Sequence, residues 1–268
     1  MIVVTGATGT VGREVVRGLL ERGTSVRALV RDPATARLPR EVELVAGDLT
    51  DPKGMTHHLN GAEAVFLVWP FLTSDGASEA VKVISEQVPR VVYLSAEAAA
   101  RRPESFWAQV EEVVRTLAVE WTFLRPTGFA ANTRLWSDQI RRSDVVEWVY
   151  GQAARSLIDE RDIAAVAVRA LTGDGHGRAR YVLTGPQALT QVEQVEAIGA
   201  ALGREIRWHE ITPSQLEDRL DNLPSSALQT WAGFVEEPEI VTSTVQDVTG
   251  RPARPFAQWA RDHADDFR

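Results

Sequence analysis

Three glycines at a fixed interval, Gly6, Gly9 and Gly12, follow the apolar run Met1 to Val4 and precede an amphipathic stretch. A glycine turn between a strand and a helix lets backbone approach a phosphate. Glycine accepts positive φ and leaves space, and the helix N-terminus offers unpaired N–H groups to the anion. The spacing is GxxGxxG rather than GxGxxG, and its place between strand and helix is what a dinucleotide pyrophosphate requires. Gly12 falls in the first helical turn, where a missing side chain lets helix and strand pack closely. Nineteen positions after Gly12 stands Arg31, where an NAD site usually puts an acid against the ribose 2′-hydroxyl. A guanidinium there suits a 2′-phosphate, so NADP(H) is the preferred cofactor. Adjacent Asp32 keeps NAD(H) possible.

The elements that position these residues read as alternating strand and helix. Val11, Val15, Val16, Leu19 and Leu20 recur at helical spacing and Gly23 supplies a stop. Strands follow at residues 25–30, at 42–46, in the apolar run AVFLVWPF that breaks at Pro70, at RVVYLSA and at VEWTFLRP, with a helix over 77–87. In open α/β sheets ligands bind beyond the carboxyl ends of the strands, which makes Val68, Trp69, Pro70 and Phe71 candidates for the nicotinamide side. Core packing explains the same residues.

The opening TGATGTVG resembles the extended and atypical branch of the short-chain dehydrogenase/reductase superfamily. The stretch EWTFLRPTGFAAN and the later YGQAARSLIDERDIAAVA narrow the resemblance to its NmrA-like and quinone-oxidoreductase-like members. The resemblance implies an α/β Rossmann-type doubly wound parallel sheet with a smaller C-terminal substrate lobe. It also implies cofactor contacts from Thr5, Thr8, Thr10 and Val11 in the turn, an adenine contact at Asp48 and Leu49, and a loop against the nicotinamide containing Pro126, Thr127 and Phe129. Without the resemblance, Asp48 reads as a turn or cap residue. Ser95, at a strand end, matches the family's substrate-facing serine and is the one catalytic candidate; it serves equally as a cap.

The usual reductase of this superfamily carries YxxxK. Four positions beyond Tyr93, Tyr150 and Tyr181 stand Glu97, Ala154 and Gly185, so that relay is absent. The helix that should carry it reads as SFWAQVEEVVRTL, with Phe106, Val110, Val113 and Leu117 as its apolar face. Trp107 then stands at the tyrosine position and Glu111 at the lysine position. Hydride transfer to an activated acceptor needs positioning more than a relay, since water can complete protonation. Phe71, Trp107, Asn132, Trp136 and Tyr150 are the substrate-pocket candidates.

The reading is an NADPH-dependent reductase of a small quinone, ketone or conjugated acceptor. The alternatives are an NmrA-like redox sensor that binds NADP(H) without catalysis and a cofactor-retaining isomerase or epimerase. A chain of 268 residues with 44% hydrophobic content buries a core unaided. Residues 1–130 are expected to form the cofactor-binding core and 131–268 the substrate lobe, interwoven with it. With no cysteine there is neither a disulfide nor a thiolate nucleophile, and with lysine only at positions 53 and 82 there is no phosphate-binding lysine loop. No serine-hydrolase elbow or zincin motif occurs, and no metal site is expected. Adjacent His57 and His58 diverge on a helix and read as solvated. Net charge −8 argues against nucleic acid as a partner. No membrane-length apolar run appears, and with the first strand starting near Met1 the protein reads as cytoplasmic, a monomer or homodimer acting on a small molecule.

Towards the C-terminus, Asp159 and Asp162 read as loop-tying and capping carboxylates. Thr190 and Glu193 read as a capping box before Val195, Ile198 and Leu202, PSQLEDRLDNL as a helix starting at Pro213, and Phe256, Trp259, His263 and Phe267 as one packed face.

Overall fold

The structure, a computed structural model, describes residues 1–219 and 225–268, without the side chains of Ser225 and Ser226. In chain order its elements begin with β1 (Ile2–Thr5), α1 (Thr10–Leu20), β2 (Val26–Val30), β3 (Glu43–Ala46), β4 (Ala64–Val68), α2 (Ala77–Gln87), β5 (Arg90–Leu94), α3 (Ala98–Arg101), α4 (Phe106–Leu117) and β6 (Glu120–Pro126). Then come α5 (Ser137–Ser143), β7 (Val145–Trp148), β8 (Ala154–Arg155), α6 (Glu160–Thr172), β9 (Ala179–Leu183), β10 (Leu189–Thr190), α7 (Gln191–Leu202) and β11 (Arg207–Glu210). The chain closes with α8 (Pro213–Glu217), α9 (Ser225–Glu236), α10 (Thr244–Thr249) and α11 (Phe256–Asp262).

Two compact units share the chain. The first takes Met1–Pro126, Glu160–Leu183 and Thr244–Arg251; the second takes Thr127–Asp159, Thr184–Ser243 and Pro252–Arg268. The first unit holds a seven-stranded sheet in the order β3-β2-β1-β4-β5-β6-β9, parallel throughout. Strands buried on both faces are near-continuously apolar, as IVVT and AVFLV are, because helices cover each side of a parallel sheet. The strand order reverses between β1 and β4, the switch point where such sheets leave a crevice at their carboxyl ends. Pro70 stands two residues past β4 and cannot extend its hydrogen bonding.

On α4 the buried positions are Val110, Glu111 and Val114, with Phe106 and Val113 packed against the same cluster as the two valines; Leu117, expected on the apolar face, is 37% exposed. Leu117 ends the helix, where the chain turns outward into β6. The histidine pair lies on a 3-10 turn, Thr56–Leu59, with ring centroids 3.7 Å apart, and His58 is half-buried rather than solvated. That burial is the leading reason its proton affinity falls below the ordinary histidine value.

In the second unit α7 begins with the expected capping box: Thr190 Oγ1 accepts from the Glu193 amide at 3.1 Å, and the Glu193 carboxylate accepts from the Thr190 amide at 2.7 Å. Gly203 ends that helix at φ +69°, the left-handed conformation a glycine stop exists to supply. Two small sheets, β10 with β8 and β11 with β7, flank a core that includes Trp259, Phe256 and Phe267. His263 stacks on Trp259 at 4.6 Å and contacts Arg134, a packed histidine as expected. The helix expected from Pro213 is observed to Glu217; residues 220–223 of that expectation lie outside the described residues. Among the described residues no helix is long and apolar enough to cross a membrane.

Candidate functional site

β1 ends in a turn whose conformation depends on missing side chains. Gly6 sits at φ +61°, and a Cβ there would meet the Val68 side chain at 2.9 Å. A Cβ on Gly12 would lie 2.1 Å from the Gly6 carbonyl oxygen, so the first turn of α1 presses directly on the glycine loop. The Gly9 amide donates to the Gly6 carbonyl at 2.9 Å and closes the turn, while Arg13 Nε donates to the Thr8 carbonyl at 2.7 Å. Thr5 pins the turn to β4: its hydroxyl accepts from the Val68 amide at 2.7 Å and turns its proton towards the carbonyls of Phe66 and Val68. Gly9 caps α1 without a side chain, and the first turn carries no acid. Free amides, a positive helix end and backbone open to approach suit a pyrophosphate. Thr8 and Thr10 are exposed beside this end, and Val11 is buried beneath it.

Arg31 lies just past β2, exposed, with no hydrogen bond or ion pair among the described residues. Asp32 does not engage it. The Asp32 carboxylate accepts instead from the Ala34 amide at 2.9 Å and the Thr35 hydroxyl at 3.1 Å. Asp48 accepts from the amide and hydroxyl of Thr50, at 2.8 and 2.9 Å, and these bonds hold its carboxyl below the usual range, with a smaller contribution from the Arg31 charge. Leu49 and Trp69 belong to the core cluster; Trp69 donates to the Thr73 carbonyl at 2.7 Å, and Phe71 packs edge-on against its ring at 5.0 Å. Pro70 is exposed.

Ser95 and Glu111, both buried, are joined: the serine hydroxyl donates to Glu111 Oε1 at 2.5 Å. Arg125 on β6 grips the same carboxylate with two bonds, Nε at 2.9 Å and a terminal nitrogen at 2.5 Å. A serine has one proton to give, and here a carboxylate takes it, so Ser95 is set as an acceptor for anything else it meets. Tyr93 is buried with its hydroxyl unpartnered, and burial, then the Glu111 charge, push its ionisation far up, so it is no acid for neutral water. Trp107, at the other relay position, is half-buried on α4 against Phe106.

In the second unit Thr127 donates to the Ser156 carbonyl at 2.8 Å, and Phe129 bridges to Ile158. A small solvent-open cavity is lined by Asn132, Trp136, Trp148, Arg155, Gln191 and Trp231, among others. It brings together Asn132 and Trp136 of the expected pocket. Tyr150, in the left-handed region at φ 59°, packs against the same unit's core and does not line the cavity. Phe71 and Trp107 belong to the first unit.

The NmrA-like family model matches residues 1–244. The chain belongs to the NmrA-like family. It is similar over its whole length to the (4-alkanoyl-5-oxo-2,5-dihydrofuran-3-yl)methyl phosphate reductase of Streptomyces griseus, at 38% identity over 280 residues, covering 100% of this chain and 99% of the relative. It is likewise similar to the NAD(P)H azoreductase of Xenophilus azovorans, at 35% identity over 289 residues with the same coverage. Among solved structures the fold matches an NADPH-dependent quinone oxidoreductase from Escherichia coli in complex with NADPH, with TM-score 0.84 at 20% identity and coverage of 98% and 99%. A triphenylmethane reductase from Citrobacter sp. matches with TM-score 0.84 at 20% identity, covering 98% of each chain.

Within this NmrA-like chain, several residues around the sites are not evident from spacing alone. Arg125 stands inside LRP and reads as part of a strand, yet its charge meets Glu111, fourteen positions away, only after β6 and α4 pack. Gln191 and Gln194 did carry a signal. They share a helical face with buried Val195 and Ile198, and an amide on an apolar face needs a polar reason to be there.

Proposed function

We propose that this protein is an NADPH-dependent reductase that passes hydride to a small quinone, azo or other conjugated acceptor, with the second unit as its acceptor-binding lobe. The observation that carries the reading is similarity along the entire chain to two reductases, in a chain whose glycine turn is shaped to take a pyrophosphate. The amides of Thr10, Val11 and Gly12 hold the pyrophosphate at the N-terminus of α1, and the unengaged guanidinium of Arg31 takes the ribose 2′-phosphate. Bound there, NADPH supplies the hydride.

The residues at the relay positions do something other than move a proton to the acceptor. Glu111 is neutralised by Arg125, Trp107 has no acidic proton to offer, and Tyr93 is enclosed. Ser95, its own proton held by Glu111, offers lone pairs and orients an N–H donor such as a carboxamide. Reduction then relies on placing an electron-poor acceptor close to the hydride, and water completes protonation. The test is direct: purified protein is mixed with NADPH and a panel of quinones, azo dyes and conjugated ketones, and loss of NADPH absorbance is followed. Oxidation by at least one acceptor class is expected, and an inert panel together with clean NADPH binding would overturn the reductase reading.

A further inference from the structure

The second unit's cavity carries more information about its ligand than aromatic lining alone. Gln191 and Gln194 are 5% and 2% exposed, and both line it. Gln191 Nε2 donates to the carbonyls of Val149 and Tyr150, each at 2.9 Å, and Gln194 Nε2 donates to the Leu189 carbonyl at 2.8 Å. These bonds fix which way each amide faces, because a carbonyl oxygen cannot face another carbonyl oxygen. Each Oε1 is therefore turned away from its backbone anchor, and neither has a hydrogen-bond partner among the described residues. Two nearly buried side chains that line one cavity thus keep acceptor oxygens without a protein donor.

Arg155 is the charged member of that lining; a terminal nitrogen is paired with a carboxylate, while its Nε is buried without a hydrogen-bond partner. Glu239, with its side chain 3% exposed, pairs with Arg155 at 3.3 Å and also accepts from the Ser156 amide at 3.1 Å. The guanidinium further packs over the Phe234 ring at 5.3 Å. A second full anion brought beside this pair would meet Glu239 and two amide oxygens. Trp231 is the partly exposed aromatic wall; Trp148, buried, meets it at 45° with ring centres 5.9 Å apart and meets buried Trp136 edge-on at 6.4 Å. One partly exposed indole face suits a planar π-system.

We infer that this cavity recognises a neutral, planar conjugated ring bearing hydroxyl or amino hydrogens, which donate to Gln191 Oε1 and Gln194 Oε1 while the ring lies against Trp231. Naming that ligand a substrate rests on the reductase reading above. The inference selects among acceptors: hydroxylated or amino-substituted rings over their alkylated counterparts, and neutral rings over phosphorylated ones.

Calorimetry tests it with compounds that cannot accept hydride. Wild-type protein is titrated with 2,6-dihydroxynaphthalene, 2,6-dimethoxynaphthalene and 2-naphthyl phosphate, and NADPH is titrated in parallel. A site that leaves its acceptors unpaired against the ether should prefer the diol by roughly tenfold or more, and the phosphate should also bind less tightly than the diol. Gln191→Leu and Gln194→Leu should bring the diol-to-ether ratio towards one; should either variant fail to fold by circular dichroism, the wild-type comparison decides alone. Equal or tighter binding of the ether, or a phosphate that outbinds the diol, would overturn the inference. So would a folded pair of leucine variants that keeps the full preference. Normal NADPH binding without diol preference defeats this inference and spares the reductase reading; diol preference without NADPH binding does the reverse.

Discussion

Ser95 donates its hydroxyl proton to Glu111 Oε1 at 2.5 Å, and Arg125 donates to both oxygens of the same carboxylate. The carboxylate is thus the middle of a buried three-residue chain, and both its neighbours depend on its charge. Glu111→Gln leaves the Arg125 guanidinium, only 14% exposed, without its counter-charge, and the expected loss of stability is about 3–5 kcal/mol. The double replacement Glu111→Leu with Arg125→Leu should cost less than either single change, since desolvation of both charges is relieved together. Denaturant unfolding of the three variants checks the order.

Gly12→Ala should invert the usual helix rule. In an ordinary helix interior alanine gains roughly 1 kcal/mol over glycine, but here the added carbon would sit 2.1 Å from the Gly6 carbonyl oxygen. Overpacking of this sort costs about 1–3 kcal/mol and displaces the turn. The melting temperature should fall and NADPH affinity should fall with it, read by thermal unfolding and a fluorescence titration.

Arg31→Ala separates the two nicotinamide cofactors. Loss of a charge-assisted contact of roughly 1.5–3 kcal/mol corresponds to about a tenfold or greater weakening of NADPH binding, with NADH little changed. Because Arg31 is exposed, the NADPH preference of the wild type should also shrink as salt is raised. Titration of both cofactors at two ionic strengths measures each effect, and an unchanged preference in the variant would remove Arg31 from this role.

His176 gives the fold a pH dependence near neutrality. Burial first, then the charges of Arg90 and Arg169, hold its proton affinity below the ordinary 6.5, while its Nδ1 lies 2.8 Å from the Tyr181 hydroxyl. The unfolded chain then binds a proton at a higher pH than the folded one, so this contribution is present above pH 6.5 and is lost as pH falls through the lower folded value. His176→Gln should flatten stability against pH in that window, read by chemical unfolding at several pH values.

The alternation of apolar runs and the glycine turn make the first five strands and α1 legible in the sequence, to within a residue or two, because each is a local pattern backed by hydrophobic period. Arg31 is legible for a similar reason: its distance from Gly12 is counted along one βαβ unit. The Glu111 to Arg125 pair is hidden, since a glutamate on a helix reads as solvated until the packed strand supplies its counter-charge. The two-residue strands β8 and β10 are hidden too; they exist only through pairing with each other, and no residue pair carries a period. Leu117 differs for the opposite reason, a position of good helical spacing that falls on the last residue of α4, where the apolar face reaches solvent.

One property of the sheet concerns the order in which the chain is made. β6 is an interior strand only because β9, more than fifty positions later, lies alongside it from Thr122 to Pro126. Until residues 179–183 have left the ribosome, an apolar strand with five of its seven residues destined for burial stands at the rim with its backbone groups open. A nascent or truncated chain ending near Pro126 therefore presents a sticky edge to its neighbours, the form of exposure that drives edge-to-edge association. Constructing the N-terminal half alone would yield an aggregating fragment rather than a miniature cofactor-binding protein.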